Sequence, residues 1–446
     1  QGREVTAEDT YEWHQPPLGY AWAALALRIV RLGEVPRAPD NPWYPYAQAA
    51  LWHAPGDPAE AWMPLLRTFS GLGVSLAVVL AWATVRALRP VLRDEAALAA
   101  SLAAVLASLW PQLLFVGHAM SNDLAAAVCG SLLTYGLVLW AGRPRRRPCA
   151  LAILAVAALL APWTKLNALV LLAAPPMAAI ALRRRSARPL TWADRPIAPT
   201  AAVALGAGVG LSAMAVAAPG ALARLVEQAV WRGAATGAAP SDPGVLLLQL
   251  STLVESTWAR FGWMNIALPG WLLWPSAAVL AGSALGLAVK FVGSRGRDRR
   301  VLAIMALPLL LAVGAALKNL LADPQPQGRL LFPAFASMVA IVACGAPAMV
   351  PRSWRSAVPW LAGAALVVLN AVAVARVIPV AYREARGPLP DVALRIVPPE
   401  PAIVARLDAR GPALRQGLDL AALHGGGRIE LAVATASGPA TIELAL

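Results

Sequence analysis

Stretches of about 18 or more mostly apolar residues recur along most of this chain, and each is long enough to cross the hydrocarbon core of a bilayer. A chain that repeats such runs has no single water-soluble core in which to bury them all. Composition points the same way. Of 446 residues 59% are hydrophobic and 14% charged, whereas a soluble domain carries roughly 25% charged residues. The 39 prolines and 34 glycines sit among Leu, Ala and Val rather than in polar tracts, so they do not signal disorder. The fold class expected is an all-α polytopic membrane protein.

Ten spans are expected, near 68–88, 96–118, 123–141, 149–163, 166–182, 197–218, 271–292, 301–321, 330–350 and 357–379. The connecting loops alternate in character. One set carries Arg86, Arg89 and Arg93; Arg143, Arg145, Arg146 and Arg147; and Arg183, Arg184, Arg185, Arg188 and Arg195. The same set continues with Arg295, Arg297, Arg299 and Arg300, then Arg352 and Arg355. The short loops of the other set, around 119–122, 164–165 and 322–328, hold only Lys165, with Arg329 at an edge. Arginine is costly to translocate, so the basic loops are assigned to the cytoplasm. The formal charge of +14 is therefore read as bilayer orientation, and no nucleic-acid partner is expected.

On the opposite, extracytoplasmic side lie residues 1–66, the loop near 219–269 and the tail 381–446, with 67–380 forming the membrane domain. With residue 1 outside, one further span upstream of Gln1 would return the N-terminus to the cytoplasm. The fourth and fifth spans, parted only by Pro162-Trp163-Thr164-Lys165, read as two helices meeting at the outer surface, because the Arg183–Arg185 cluster requires a return. The apolar stretch at 244–250 is too short to span, so the 219–269 loop reads as an interfacial helix or a lid. In the tail, 428–433 and 441–444 alternate around a Ser437-Gly438-Pro439 turn, which predicts a small β-hairpin.

Polar groups gather at the outer ends of the spans. His14, His53, His118 and His424 fall there, as do Lys165, Lys318, Asn122, Asp123, Asn167, Asn319, Asp323 and Arg329. Ionisable groups at membrane depth are costly, so their convergence on one rim predicts a polar cavity. Asp123 opens a helix, where the dipole favours a carboxylate, and serves either as a cap or as an acid that orients a hydroxyl. Lys165 snorkels to the interface or pairs with a phosphate at headgroup depth; Arg329, at the head of a span, has the fork that suits a phosphate. The Trp13–Tyr20 segment, with Pro16-Pro17, leads into an interfacial helix over 18–32. No GxSxG, Walker A, HExxH or CxxC pattern occurs, and the three cysteines (Cys129, Cys149, Cys344) lack ligand spacing. No tightly held metal is expected, although a divalent ion stays open.

Six segments in order carry a resemblance. They are His14-Gln15-Pro16-Pro17-Leu18-Gly19-Tyr20, Leu66-Arg67, Trp110-Pro111-Gln112 with Ser121-Asn122-Asp123, Trp163–Leu169, Phe261–Asn265 and Gly328-Arg329-Leu330-Leu331-Phe332-Pro333. Together they resemble the GT-C class of integral membrane glycosyltransferases, which includes the protein O-mannosyltransferases and aminoarabinose transferases. They are closer still to an uncharacterised bacterial family of polytopic proteins related to that class.

The resemblance implies a helical bundle in a bacterial inner membrane with an outward-facing site. It also implies a polyprenyl-phosphate sugar donor and a cell-envelope lipid, glycan or protein acceptor, with no cofactor beyond the donor. GT-C enzymes place a catalytic acid early in the first outer loop; Asp9, paired with Glu8, is the nearest candidate here. On that expectation Asp9 deprotonates the acceptor, Lys165 and Arg329 hold the phosphate, and Asp123 positions the acceptor with His14, Asn122 and Asn167 beside it. The competing expectation is a transporter or lipid flippase without covalent chemistry.

Overall fold

The computed structural model describes residues 16–29, 59–119, 121–182, 191–234, 243–262, 266–322 and 326–379, and four strands beyond them, at 393–397, 403–406, 428–435 and 438–445. These residues divide into two compact units. Those within 14–32 and 62–373 make the first, and the rest make the second.

The first unit is helical. Its chain runs α1 (Leu18–Ile29), α2 (Ala59–Ala87), α3 (Arg89–Leu92), α4 (Ala96–Leu109), α5 (Pro111–His118), α6 (Asn122–Gly142) and α7 (Arg147–Thr164). It continues with α8 (Leu166–Leu169), α9 (Ala174–Leu182), α10 (Ala198–Ala217), α11 (Pro219–Ala234) and α12 (Pro243–Trp258). After a two-rung hairpin, β1 (Arg260–Phe261) against β2 (Ile266–Ala267), come α13 (Gly270–Gly293), α14 (Gly296–Ala322), α15 (Phe335–Gly345) and α16 (Val358–Val372). Proline sets several of the starts, since its missing N–H is no loss in a first turn. Pro111 follows an extended Trp110, and the α4–α5 pair bends there by 45°.

Among the described residues eight helical segments are long and apolar enough to cross a membrane, and the bent α4–α5 pair makes a ninth. The remaining expected span, the fifth at 166–182, is shorter and broken: α8 passes into a 3-10 turn over Val170–Ala173 before α9 begins. Pro175 and Pro176 supply no backbone N–H, so the carbonyls one turn earlier lose their α-helical donors. Lys165, in extended conformation, separates α7 from α8, which makes two helices of this stretch.

Two of the spans, α6 and the segment 328–349, are mostly buried, whereas the other six are each less than half buried. The outer helices instead expose aliphatic faces, with Leu205 and Val216 on α10, Val279 and Val289 on α13, and Leu361 and Val368 on α16. In water such faces would drive association; in lipid they are the expected surface. Exposed tryptophans mark the ends, Trp271 and Trp274 at the start of α13 and Trp354 and Trp360 where the last span begins. Indoles favour the interfaces of a bilayer in this way. The chain is a multi-pass membrane protein.

The basic loops meet at one end of the bundle. Arg143, just past α6, donates to the carbonyls of Arg86 and Ala87, and Arg297 donates to that of Gly142 at 2.7 Å. Glu95 accepts from Lys290 and, at 2.5 Å, from Arg355. Arg147 pairs with Asp194 at 2.6 Å. The arginines at 183–188 lie outside the described residues. Because the 21 residues of α6 rise about 30 Å, Asp123 in its first turn sits at the other end.

The 219–269 loop holds α11, α12 and the β1–β2 hairpin. Of these, α11 is amphipathic, with Leu225 buried and Val226 and Val230 exposed. In the second unit, β3 (Ala393–Val397), β4 (Ile403–Arg406), β5 (Arg428–Thr435) and β6 (Gly438–Ala445) form an antiparallel sheet in the order β4-β3-β5-β6. The expected tail hairpin corresponds to β5 and β6, paired from Arg428 opposite Ala445 to Thr435 opposite Gly438.

Candidate functional site

The end of the bundle remote from the arginine loops is built on Asp123. Ser121, extended, starts α6, and Asp123 follows in the first turn with 1% of its side chain exposed. A carboxylate removed from water in this way needs charged partners, and it has two. Lys165 Nζ lies 2.6 Å from Asp123 Oδ1, and Arg329 Nη1 lies 3.5 Å from Oδ2. The Ser121 hydroxyl also approaches Oδ2, at 3.4 Å. The two cations are less enclosed, with side-chain exposures of 17% and 19%. Together the three side chains carry one net positive charge. The carboxylate holds two cationic heads side by side, and each retains a face toward its surroundings.

Each partner arrives by its own local logic. Because α7 runs antiparallel to α6, its C-terminal end returns to Asp123, where the extended break at Lys165 lets the side chain turn inward. Arg329 lies in a 3-10 turn over Gly328–Ala334. That turn is pinned from two sides: Gly328 N–H donates to Ser256 Oγ at 2.7 Å, and Arg329 Nε donates to Gln327 Oε1 at 2.8 Å. It also presses on α6, where a Cβ on Gly130 would collide with the Pro333 carbonyl, so only glycine permits this approach.

The two asparagines expected to touch substrate serve as tethers to backbone. Asn122 Nδ2 donates to the Pro16 carbonyl at 2.8 Å, tying the entry of α1 to α6, and Asn167 Nδ2 donates to the Leu330 carbonyl at 3.0 Å. Gly19 packs against Asn122 closely enough that a Cβ would fall on the amide oxygen. His118 is exposed, with Nδ1 2.6 Å from the Leu114 carbonyl. Asp9, Glu8 and His14 lie outside the described residues, as do His53, His424 and Asp323. Among the described residues no group of three His, Cys, Asp or Glu side chains could hold a metal.

Sequence reasoning singled out Asp123, Lys165 and Arg329 but not their contact, and it left Asp123 as either a helix cap or an acid that orients an acceptor hydroxyl. In the structure the carboxylate is turned to Ser121 and the two cations. Two supporting side chains were missed. Gln327 stands two residues before Arg329, and that spacing beside a charged fork was the available signal. Ser256, 72 residues away in sequence, gave none. Some of the quoted segments meet directly, Asn122 with Pro16 and Asn167 with Leu330. Trp110 Nε1 donates to the Thr257 carbonyl at 2.8 Å, and Gln112 Oε1 accepts from Arg260 N–H at 3.0 Å, just ahead of the Phe261 segment. An apolar groove on α10, lined by Ala204, Leu205, Gly208, Val209 and Ser212, carries no ionisable group and is no part of this site.

Compared with known proteins, the chain matches no family model, no curated protein and no solved structure. The class defined by fold and site is thus a multi-pass membrane protein with a carboxylate-clamped cation pair at one end of its bundle.

Proposed function

We propose that this protein is a GT-C-like glycosyltransferase of the bacterial inner membrane. It moves a sugar from a polyprenyl phosphate to a cell-envelope lipid, glycan or protein on the extracytoplasmic side. The observation that carries this reading is the Asp123 clamp, which holds Lys165 and Arg329 adjacent at 2.6 and 3.5 Å. Two adjacent cations at the end of a span suit a phosphate that bears the developing negative charge of a leaving group. The opposite end, with its arginine loops, then faces the cytoplasm. The resemblance of the six segments supplies the sugar, and the meeting of four of them near the clamp, through Asn122 with Pro16 and Asn167 with Leu330, is consistent with it.

In this mechanism the acceptor oxygen attacks the anomeric carbon as the carbon–oxygen bond to phosphate breaks, inverting the centre. A carboxylate of the first outer loop, Asp9 with Glu8 beside it, takes the acceptor proton. Asp123 acts as a positioning residue for the two cations. Lys165→Ala and Arg329→Ala are expected to abolish transfer from a radiolabelled polyprenyl-phosphate sugar without loss of membrane expression; full activity in either overturns the assignment. The interrupted helices at 166–182 and 328–334 favour a second reading, a transporter that moves such a lipid intact. Recovery of the label still joined to the polyprenyl phosphate, on the opposite side of a vesicle, distinguishes it.

A further inference from the structure

At the basic end of the bundle, folding gathers five arginines from three loops. Arg143 Nη2 donates to the Arg86 carbonyl at 3.1 Å and its Nε to the Ala87 carbonyl at 3.2 Å, which brings the end of α2 and the start of α3, with Arg89, against the end of α6. Arg146 follows within the same turn, its N–H on the Arg143 carbonyl at 2.9 Å. Arg297 closes the group from α14 through the Gly142 carbonyl at 2.7 Å.

None of the five forms an ion pair among the described residues, while three acids of this face are taken by other cations. Glu95 holds Lys290 and Arg355, Asp194 holds Arg147, and Asp298 lies 3.9 Å from Arg93. The group is crowded enough that burial, and then the charges of Arg89, Arg146 and Arg86, lower the pKa of Arg143.

A bias of arginines toward one side asks only for an excess of charge in the loops. It does not ask that Arg143 reach the backbone carbonyl of Arg86, 57 positions away, and so gather like charges in one place. Such a cluster needs a counter-charge. Its depth says where that charge comes from: the Arg86 guanidinium lies 5.4 Å over the ring of Trp82, which is 40% exposed on the lipid-facing side of α2. A guanidinium over a lipid-facing indole sits at headgroup level. Arg86, Arg89 and Arg146 are themselves exposed, so their forks are available to phosphate oxygens.

We propose that Arg86, Arg89 and Arg146, backed by Arg143 and Arg297, form a binding site for the headgroup phosphate of an anionic membrane lipid. The site is separate from the Asp123 clamp and does not depend on glycosyl transfer. Basic recesses between spans capture phospholipid headgroups by this chemistry.

The test uses the full chain in neutral detergent, titrated with phosphatidylglycerol, phosphatidylcholine or inorganic phosphate and read by native mass spectrometry and thermal unfolding. Phosphatidylglycerol is expected to be retained and to raise the unfolding temperature. Phosphatidylcholine and inorganic phosphate at the same concentration are expected to do neither. The triple variant R86Q/R89Q/R146Q should weaken phosphatidylglycerol binding on the order of a hundredfold. The variant R86K/R89K/R146K, which keeps the charge and guards against a folding defect, should bind between the two. Equal retention of phosphatidylcholine, an equal response to inorganic phosphate, or undiminished binding by the folded Gln variant overturns the proposal.

Discussion

Asp123→Asn removes one charge and almost no volume, so it isolates what the clamp carboxylate does. In the wild type the two cationic heads lie 2.6 and 3.5 Å from its oxygens, and the carboxylate is 1% exposed. The amide leaves two like charges adjacent, each about four-fifths withdrawn from water, and removes the carboxylate they share. Removing one member of a buried ion pair costs about 3–5 kcal/mol. Because Lys165 and Arg329 keep 17% and 19% of their surface in contact with their surroundings, the lower end applies, about 3 kcal/mol. The helix dipole adds a fraction of a kcal/mol in the same direction.

Adding Lys165→Met to Asp123→Asn removes the surplus cation. Arg329 keeps its bond to Gln327, and the double variant should be about 2 kcal/mol less destabilised than the two single changes summed. Equilibrium unfolding in mixed micelles measures all three. If Asp123→Asn unfolds with the wild type, or if the changes simply add, the clamp account is wrong.

Two further outcomes follow from other parts of the structure. Gly130→Ala puts a methyl group into the Pro333 carbonyl, and with backbone on both sides the contact cannot relax by a rotamer change; a loss of about 1–3 kcal/mol is expected, together with weaker transfer as Arg329 shifts. Asp194 accepts bonds from Thr191 and Arg147, at 2.6 Å each, and these hold its carboxyl below the usual carboxylate range. With the folded pKa depressed, its stabilisation is full above the unfolded pKa and is lost as pH falls through the folded value. Acid unfolding of Asp194→Asn should therefore be less steep over that window than that of the wild type, and an unchanged slope would count against the pairing.

Much of this architecture was legible because lipid imposes one rule on every span. The boundaries expected for 123–141 and 271–292 fall within a residue or two of α6 and α13, since apolar length and flanking arginine settle both. The broken stretch after Lys165 was harder, because composition is apolar whether the backbone is α or 3-10, and only Pro175-Pro176 hinted at the break. At the site, residue types could be read from cost: a lysine, an arginine and an aspartate at the edge of hydrocarbon each call for an explanation. Their mutual contact could not. It depends on α7 returning beside α6 and on a turn more than 150 residues later, and pairwise contacts of that separation leave no periodic trace in a single sequence.

The same grouping, one carboxylate between two cations, occurs at both ends of the bundle and uses two of the chain's three lysines. Burial separates their duties. Glu95 is 28% exposed and its partners Lys290 and Arg355 are 18% and 26% exposed, so all three share one environment and the charges stay near water. That is the balance of a strut between loops, in which loss of any member is softened by solvent. At Asp123 the anion is withdrawn and the cations lie outward of it, so charge is graded along the site. A graded arrangement of this kind stabilises little by itself, and in the proposed function it lets a phosphate approach the two cations from their exposed side. That asymmetry, rather than the presence of charge at a span end, is why the proposed function is assigned to Asp123 and not to Glu95.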